Sequence, residues 1–243
     1  MELYLSWWDL VMLLGVTLQA TILAYIKEAK WKTYIMFFPI PFTLASLAVA
    51  RPVDATNVTG LLLFMLFMHG IRIMHDRYNL NIIISIGAVT LGFMVSGSLL
   101  AKVIPSGTIA FWVAATITIL AALVMLKVFP YKTGTGYRTP LPIWIKVPAI
   151  MGVLATLILL KGMLRGFTTT FPMIGIVISY ETRKSLWTTC QGVPEAMFNV
   201  MVLIITCRLL QEPLGLIPAL GIGWLLLGLL VFPLAARRVA KRA

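Results

Sequence analysis

The stretch Lys32-Thr-Tyr-Ile-Met-Phe-Phe38-Pro39 is echoed 133 positions later by Arg165-Gly-Phe-Thr-Thr-Thr-Phe171-Pro172. Each copy begins with a cation and ends with a Phe-Pro step. A second pair of landmarks follows in the same order, Arg72-Ile-Met-His-Asp76 and Arg208-Leu-Leu-Gln-Glu212, each a cation with a carboxylate four residues later. Two landmarks in the same order predict an internal repeat.

The composition indicates that this repeat belongs to a membrane protein. Of the 243 residues, 60 % are apolar or aromatic and only 12 % are charged, against about 25 % charged in soluble domains. So little charge cannot coat a soluble surface of this size. The net charge of +12 would indicate nucleic acid as the partner of a soluble protein. Here we interpret it as charge on membrane loops, with no nucleic-acid partner.

The apolar runs between the charges predict about nine transmembrane helices, because a bilayer core takes about 20 residues per helix and the runs lack the alternation of barrel strands. The predicted spans are 10–26, 34–50, 55–71, 80–101, 103–126, 141–160, 166–180, 186–207 and 214–236. With the N-terminus outside, 15 of the 20 Lys and Arg residues fall on the inner side. The positive-inside rule therefore predicts an N-out, C-in topology.

A single helix between two four-helix copies inverts the second copy relative to the first. We therefore predict a first repeat at 1–102, a linking helix and cytoplasmic loop at 103–140, and an inverted second repeat at 141–243. Inverted repeats recur in transporters whose site lies near the midplane between the halves. The layout resembles that of fused fluoride channels and, in unfused form, four-helix exporters of the small multidrug resistance class. This resemblance is one of architecture only.

The first repeat also resembles a family by sequence. Its stretch Lys32-Thr-Tyr-Ile-Met-Phe-Phe-Pro-Ile-Pro-Phe-Thr-Leu-Ala-Ser-Leu-Ala-Val, followed by Asp54 and a third span, resembles the GlpM-type small bacterial inner-membrane proteins. Those are about four-helix, roughly half-length chains with a basic-aromatic run and a Phe-Pro step at the same place. The resemblance covers about 60 residues, and the second copy departs from it, with Gly175 where the first has Phe42. It implies a duplicated relative of a permease-like family and names no substrate.

Glu195 is the carboxylate predicted nearest to mid-membrane. It follows Gly192 and Pro194, which weaken the predicted eighth span at that point. A carboxylate beside a broken helix suits a proton or cation site, and a structural Glu bonded to a neighbouring helix is the alternative. Asn199 lies four residues later on the same helical face. Asn199 and Gln19 are candidates for the path or for hydrogen bonds that link helices.

Pro39 and Pro172 interrupt the second and seventh predicted spans at matching places. In a repeat transporter, such interruptions point to the substrate path. Thr168, Thr169 and Thr170 precede the second proline, and their hydroxyls can satisfy freed carbonyls or face a polar path. Simple structural kinks are the alternative for both prolines.

No nucleotide-binding, metal-ligand or nucleophile motif occurs in the sequence, so we predict no enzyme and no cofactor. We predict a small secondary transporter or channel for a small solute or ion in the bacterial inner membrane, with proton coupling through Glu195 as one option. A non-transporting subunit of an envelope polysaccharide or lipid assembly complex is the alternative, and a membrane-embedded lipid enzyme is a third. A polar mid-depth cavity containing Glu195 would favour transport, whereas a dry bundle with a flat apolar flank would favour the subunit. The predicted partner is the lipid bilayer, and homo-oligomerisation stays open.

Overall fold

The computed structural model describes residues 6–28, 32, 35, 36, 38–129, 137 and 139–242, with side chains except at 157, 160–163, 165 and 231–242. Some residues used in the predictions lie outside this part of the chain: Lys30, Thr33, Tyr34, Phe37, Lys132 and Arg138. The side chains of Arg165 and of the basic tail also lie outside it. Throughout the described residues the regular structure is helical, which confirms the predicted all-α class.

The helices come in the order α1 Trp7–Tyr25, α2 Ile40–Val49, α3 Ala55–Arg72, α4 Ile82–Val103, α5 Thr108–Val128, α6 Ile143–Leu164, α7 Met173–Glu181, α8 Leu186–Gln191, α9 Val193–Leu214 and α10 Leu216–Arg242. A π-helical turn, Ile73–Arg77, extends α3, and a 3₁₀ turn, Arg165–Thr168, follows α6.

Within the described part of the chain, five helical segments are long and apolar enough to cross a bilayer. They are Trp7–Tyr25, Ala55–Arg77, Ile82–Val103, Thr108–Val128 and Leu186–Leu214. These segments indicate a membrane protein, as the composition predicts. The count of nine spans and their orientation stay predictions.

Two of the long helices begin with reciprocal side-chain caps. At α1 the Ser6 backbone N–H donates to the Asp9 carboxylate at 2.7 Å, and the Ser6 hydroxyl accepts from the Trp8 backbone N–H at 3.3 Å. At α3 the Asp54 backbone N–H donates to Asn57 Oδ1 at 2.8 Å, and the Asp54 carboxylate accepts from the Thr56 backbone N–H at 2.8 Å. Each cap satisfies backbone donors that the first helical turn leaves without intrahelical partners.

The two predicted interruptions are present at the predicted prolines. Pro39 is the N-cap of α2 and Pro172 is the N-cap of α7, which have only ten and nine residues. Proline suits a helix start because its missing N–H has no intrahelical partner there. The eighth predicted span is likewise divided, since α8 and α9 meet at Gly192. Short helices that start inside the bundle therefore occur in both predicted repeats.

Helix α3 forms the centre of the packing. It contacts α4, α5, α7, α8, α9 and the 3₁₀ turn, and its side chains Phe67, Met68 and Ile71 are buried. By contrast, α4 and α5 each present large apolar side chains on an exposed face, among them Leu91, Val95, Leu99, Ile109, Val113 and Leu120. Exposed apolar faces of this kind suit contact with lipid chains.

The approach of α3 to the 3₁₀ turn requires glycine on both sides. A Cβ atom at Gly60 would collide with Thr170 Oγ1, and one at Gly166 would collide with Thr56 Oγ1. These two glycines bring the first repeat against the interrupted segment of the second.

We expect Gly60→Ala to destabilise the protein by about 1–3 kcal/mol, since overpacking a tight interface costs that much. Gly92→Ala is the matched control, because nothing lies within 4 Å of the added Cβ at that helical position. The measurement is the midpoint temperature of thermal unfolding of both variants in the same lipid nanodiscs. Equal midpoints for the two variants would contradict the close approach of α3 to Thr170.

Candidate functional site

A cavity of about 70 Å³ lies where the two interrupted segments meet. Pro39 and Phe42 line it from the first repeat, and Thr170 and Pro172 line it from the second. Most of its wall is apolar, and the cavity is large enough to hold water. The structure therefore brings together both prolines that the sequence singles out.

Both short helices begin at this cavity. Pro39 and Pro41, at the start of α2, are part of its wall, and so are Pro172 and Met173 at the start of α7. Neither N-cap makes a side-chain capping hydrogen bond. The start of a helix carries partial positive charge, so two helix dipoles direct their positive ends toward this region.

The first break is satisfied by Gln19 of α1. Its Nε2 donates to the backbone carbonyls of Ile35 at 3.0 Å and Phe38 at 3.2 Å. Both carbonyls belong to the segment that Pro39 ends. Gln19 therefore forms a hydrogen-bonded link between α1 and the interrupted segment, which is one of its two predicted roles.

Asn57 of α3, which the sequence analysis did not single out, links the first repeat to the segment before Pro172. Its Nδ2 donates to Thr169 Oγ1 at 2.8 Å and to the Gly166 carbonyl at 3.4 Å. Thr169 Oγ1 in turn donates to the same Gly166 carbonyl at 2.8 Å. The signal that could have found Asn57 is its position three residues after the helix cap Asp54.

The three predicted threonines divide between wall and packing. Thr169 and Thr170 line the cavity, whereas Thr168 is buried and is not part of the wall. The Thr170 hydroxyl donates to the Phe167 carbonyl at 3.4 Å. The hydroxyls of the two cavity threonines thus donate to backbone carbonyls of the 3₁₀ turn before the break.

Glu195 and Asn199 lie beside the cavity and are not part of its wall. Glu195 is half-buried in the first turn of α9, and Asn199 is buried one turn later. The α9 residues that do line the cavity are Ala196 and Val200. The presence of a cavity favours a transporter over a non-transporting subunit. Its mainly apolar wall, which does not include Glu195, does not favour the transporter.

A second polar cluster surrounds Glu181, the last residue of α7, which is only 3 % exposed. Lys146 Nζ lies 2.8 Å from Glu181 Oε1, and Lys32 Nζ lies 4.0 Å from Glu181 Oε2. These lysines are 5 % and 0 % exposed. The sequence analysis did not single out Glu181, which directly follows the seventh predicted span.

Tyr137 and Thr139, which follow α5 in the chain, contact this cluster. The Thr139 backbone N–H donates to Glu181 Oε2 at 3.1 Å, and Lys32 Nζ donates to the Tyr137 carbonyl at 2.9 Å. Arg183 donates to the hydroxyls of Tyr137 and Thr139 at 2.5 and 3.1 Å. The predicted cytoplasmic connector is therefore held directly against the end of α7.

Burial lowers the pKa of Lys32 from 10.5 to about 8. The Glu181 carboxylate opposes this change, and the Lys146 and Arg183 cations add to the lowering. The attraction of the Glu181 carboxylate thus does not fully offset the loss of hydration at the Lys32 ammonium. The cluster therefore carries a desolvation cost.

The chain matches no protein-family model, no curated protein and no solved structure. The resemblance to GlpM-type proteins accordingly stays a prediction, and the functional argument rests on the geometry.

We expect Gln19→Leu to destabilise the protein by about 0.5–1.5 kcal/mol, because it removes one hydrogen-bond donor from the Ile35 carbonyl and one from the Phe38 carbonyl. Thr17→Val is the matched control on the same helix, since the buried Thr17 hydroxyl has no hydrogen-bond partner among the described residues. Thermal unfolding in nanodiscs measures both. A Gln19→Leu midpoint equal to that of Thr17→Val would show that the amide does not stabilise the break.

The Lys32 pKa predicts a change of stability with pH. Because the folded pKa of about 8 lies below the ordinary lysine value, the unfolded chain binds more protons between pH 8 and about 10.5. The contribution of Lys32 to stability therefore rises with pH across that window. We expect the unfolding temperature of the wild type, relative to Lys32→Met, to increase from pH 7.5 to pH 10. A constant difference across this range would contradict the lowered pKa.

Proposed function

We propose that this chain is a small transporter or channel of the bacterial inner membrane. A small solute or ion crosses through the cavity between Pro39 and Pro172. The proposal includes nine spans in N-out, C-in topology, with two inverted four-helix repeats joined by α5. The observation that carries it is the cavity, to which each predicted repeat contributes one interrupted segment.

The contacts at α5 support inverted repeats. Arg72 and Arg208 are equivalent landmarks of the two copies. The Arg72 guanidinium lies 5.5 Å from the ring centre of Phe129, just after the end of α5. Arg208 donates to Thr108 Oγ1 at 2.9 Å, at the first residue of α5. Equivalent residues at opposite ends of the linking helix are what an inversion requires.

The pairing of helices supports the same relation. Helix α5 contacts both α3 and α9, which occupy equivalent places in the two copies. In the first copy α3 packs on α4, and in the second α9 packs on α10. Across the copies α4 contacts α7, and α10 contacts α2. Each of these contacts has its counterpart under exchange of the two repeats.

Interrupted helices at a repeat interface are the arrangement by which many transporters build a central site. The interruption exposes backbone groups to the path, and such irregular backbone is tolerated at membrane depth only inside protein or beside a water-filled cavity. In this chain the interrupted helices and the cavity occur at the same place, because α2 and α7 start at the cavity wall.

Glu195 is the proposed proton-responsive group. It precedes Ala196 of the cavity wall and lies in the first turn of α9, directly after the division at Gly192. A charge change there acts on α9, the helix that supplies Ala196 and Val200 to the wall.

Flux through reconstituted protein tests the proposal. We expect liposomes containing the chain to take up at least one of four solutes at least tenfold faster than protein-free liposomes. The four solutes are glycerol, urea, potassium chloride and potassium formate. The two potassium salts are tested with valinomycin present. Two of them supply anions, because both helix starts bring partial positive charge to the cavity. Stopped-flow light scattering after an osmotic jump measures the rates.

The matched pair of variants for this assay is Val200→Phe, which adds a ring at the cavity wall, and Leu209→Phe, an exposed position on the same helix. We expect Val200→Phe to slow the flux at least fivefold and Leu209→Phe to leave it unchanged. Transport is excluded if all four solutes enter at the rate of protein-free liposomes, and the cavity path is excluded if both variants behave alike.

The proton-responsive role of Glu195 has its own test. We expect the flux of the wild type to vary between pH 5 and pH 8 and that of Glu195→Gln to lose this variation, because the amide cannot titrate. The measurement is the same light-scattering rate at each pH. A variant that keeps the wild-type profile would remove Glu195 from the mechanism and leave the cavity path intact.

A further inference from the structure

We propose that Glu181 is the inner gate residue of this pathway, and that its carboxylate, held by Lys32 and Lys146, closes the cavity toward the cytoplasmic side. The inference rests on the proposed transport function and names the element that controls access to the same cavity. It gives a role to a carboxylate that lies outside the cavity wall and is separate from Glu195.

The cluster ties together the two interrupted segments that bound the cavity. Lys32 precedes the break at Pro39, and Glu181 ends the helix that starts after Pro172. Besides its 4.0 Å ion pair with the Glu181 carboxylate, Lys32 Nζ donates to the Glu181 carbonyl at 3.2 Å. Both segments are therefore held at a single residue, at their ends away from the cavity.

The same carboxylate also fixes these segments to the surrounding helices. Lys146 belongs to the first turn of α6, and its Nζ donates to the Ala24 carbonyl in the last turn of α1 at 3.2 Å. Since Lys146 also pairs with Glu181 at 2.8 Å, it links α7 to α1 and α6, which pack against each other. Separation of α7 from these two helices requires that the Glu181 pairs break.

Tyr137 and Thr139 of the connector also contact the cluster. Thr139 donates to the Glu181 carboxylate, and Arg183 lies with its guanidinium carbon 4.7 Å from the ring centre of Tyr137. Loss of the Glu181 charge would therefore weaken the Thr139 contact together with the two lysine pairs.

The charge balance makes the cluster most sensitive to the loss of the Glu181 charge. One buried carboxylate faces two buried lysines, so its neutralisation leaves two cations without their anion in a region of low dielectric. Removing one partner of a buried pair is strongly unfavourable, and the entry of water relieves it.

Sided thiol labelling tests the gate. The reporter is Ala196→Cys in the cavity wall, in a chain whose native cysteines are replaced by Cys190→Ala and Cys207→Ala. We expect Glu181→Gln to raise the rate of reporter labelling by a membrane-impermeant maleimide about tenfold in inside-out vesicles. The rate in right-side-out vesicles should stay unchanged.

Glu212→Gln is the matched control, because this carboxylate is 79 % exposed and pairs with Arg208 on its own helix. It should leave both rates at the wild-type value. Lys32→Met is the second variant, which keeps the close Glu181–Lys146 pair and should give a smaller increase from the inner side. It keeps the test decisive if Glu181→Gln fails to give a monodisperse size-exclusion peak.

Two results would overturn the gate. The first is an unchanged inner rate in every folded variant of the cluster, and the second is an equal rise from both sides, which indicates a loosened bundle. Thiol labelling measures access to the cavity, and light scattering measures flux. The gate and the transport function are therefore tested by separate measurements. Inner opening without any flux would leave the gate standing and remove transport.

Discussion

A backbone carbonyl cannot stay unpaired inside a bilayer, and the two proline breaks create such carbonyls at the centre of this bundle. Gln19 donates to two carbonyls of the segment before Pro39, and Asn57 donates to Thr169 Oγ1 and the Gly166 carbonyl in the segment before Pro172. The second of these bonds crosses from one predicted repeat to the other. The segment before Pro39 is therefore tied to α1 of its own repeat, and the segment before Pro172 is tied to α3 of the other repeat.

Two further polar contacts of the interior lie away from the breaks. Glu181 collects Lys32 and Lys146 at the far ends of the interrupted segments. The Gln211 side chain pairs with both the N–H and the carbonyl of Val53, which joins the end of α9 to the loop before α3. The cavity thus lies between an ion cluster and an amide pair. Burial of the ion cluster costs desolvation energy, whereas burial of the neutral amide pair costs little. We therefore assign the regulated opening to the ion cluster.

The sequence was sufficient for the helical class, the membrane character and the two interruptions, because hydropathy and proline act locally. It was not sufficient to predict the burial of Glu181, because a position directly after an apolar run indicates the edge of a loop. Only the packing of α1, α6 and the connector buries it. Asn57 escaped notice for a related reason, since its capping position explains it locally while its second bond is to a residue 112 positions away. Glu195 stood out by its depth in a span, yet the cavity lies on the side of Ala196 and Val200.

The central claim of this account is that the two copies are inverted, because only then do the breaks approach the cavity from opposite sides. The most direct test is sided labelling of Tyr78→Cys and Leu214→Cys, exposed residues that follow α3 and end α9 in the two copies. With the native cysteines replaced, the account predicts that an impermeant maleimide reaches Tyr78→Cys only in inside-out vesicles and Leu214→Cys only in right-side-out vesicles. Labelling of both positions from the same side would contradict it.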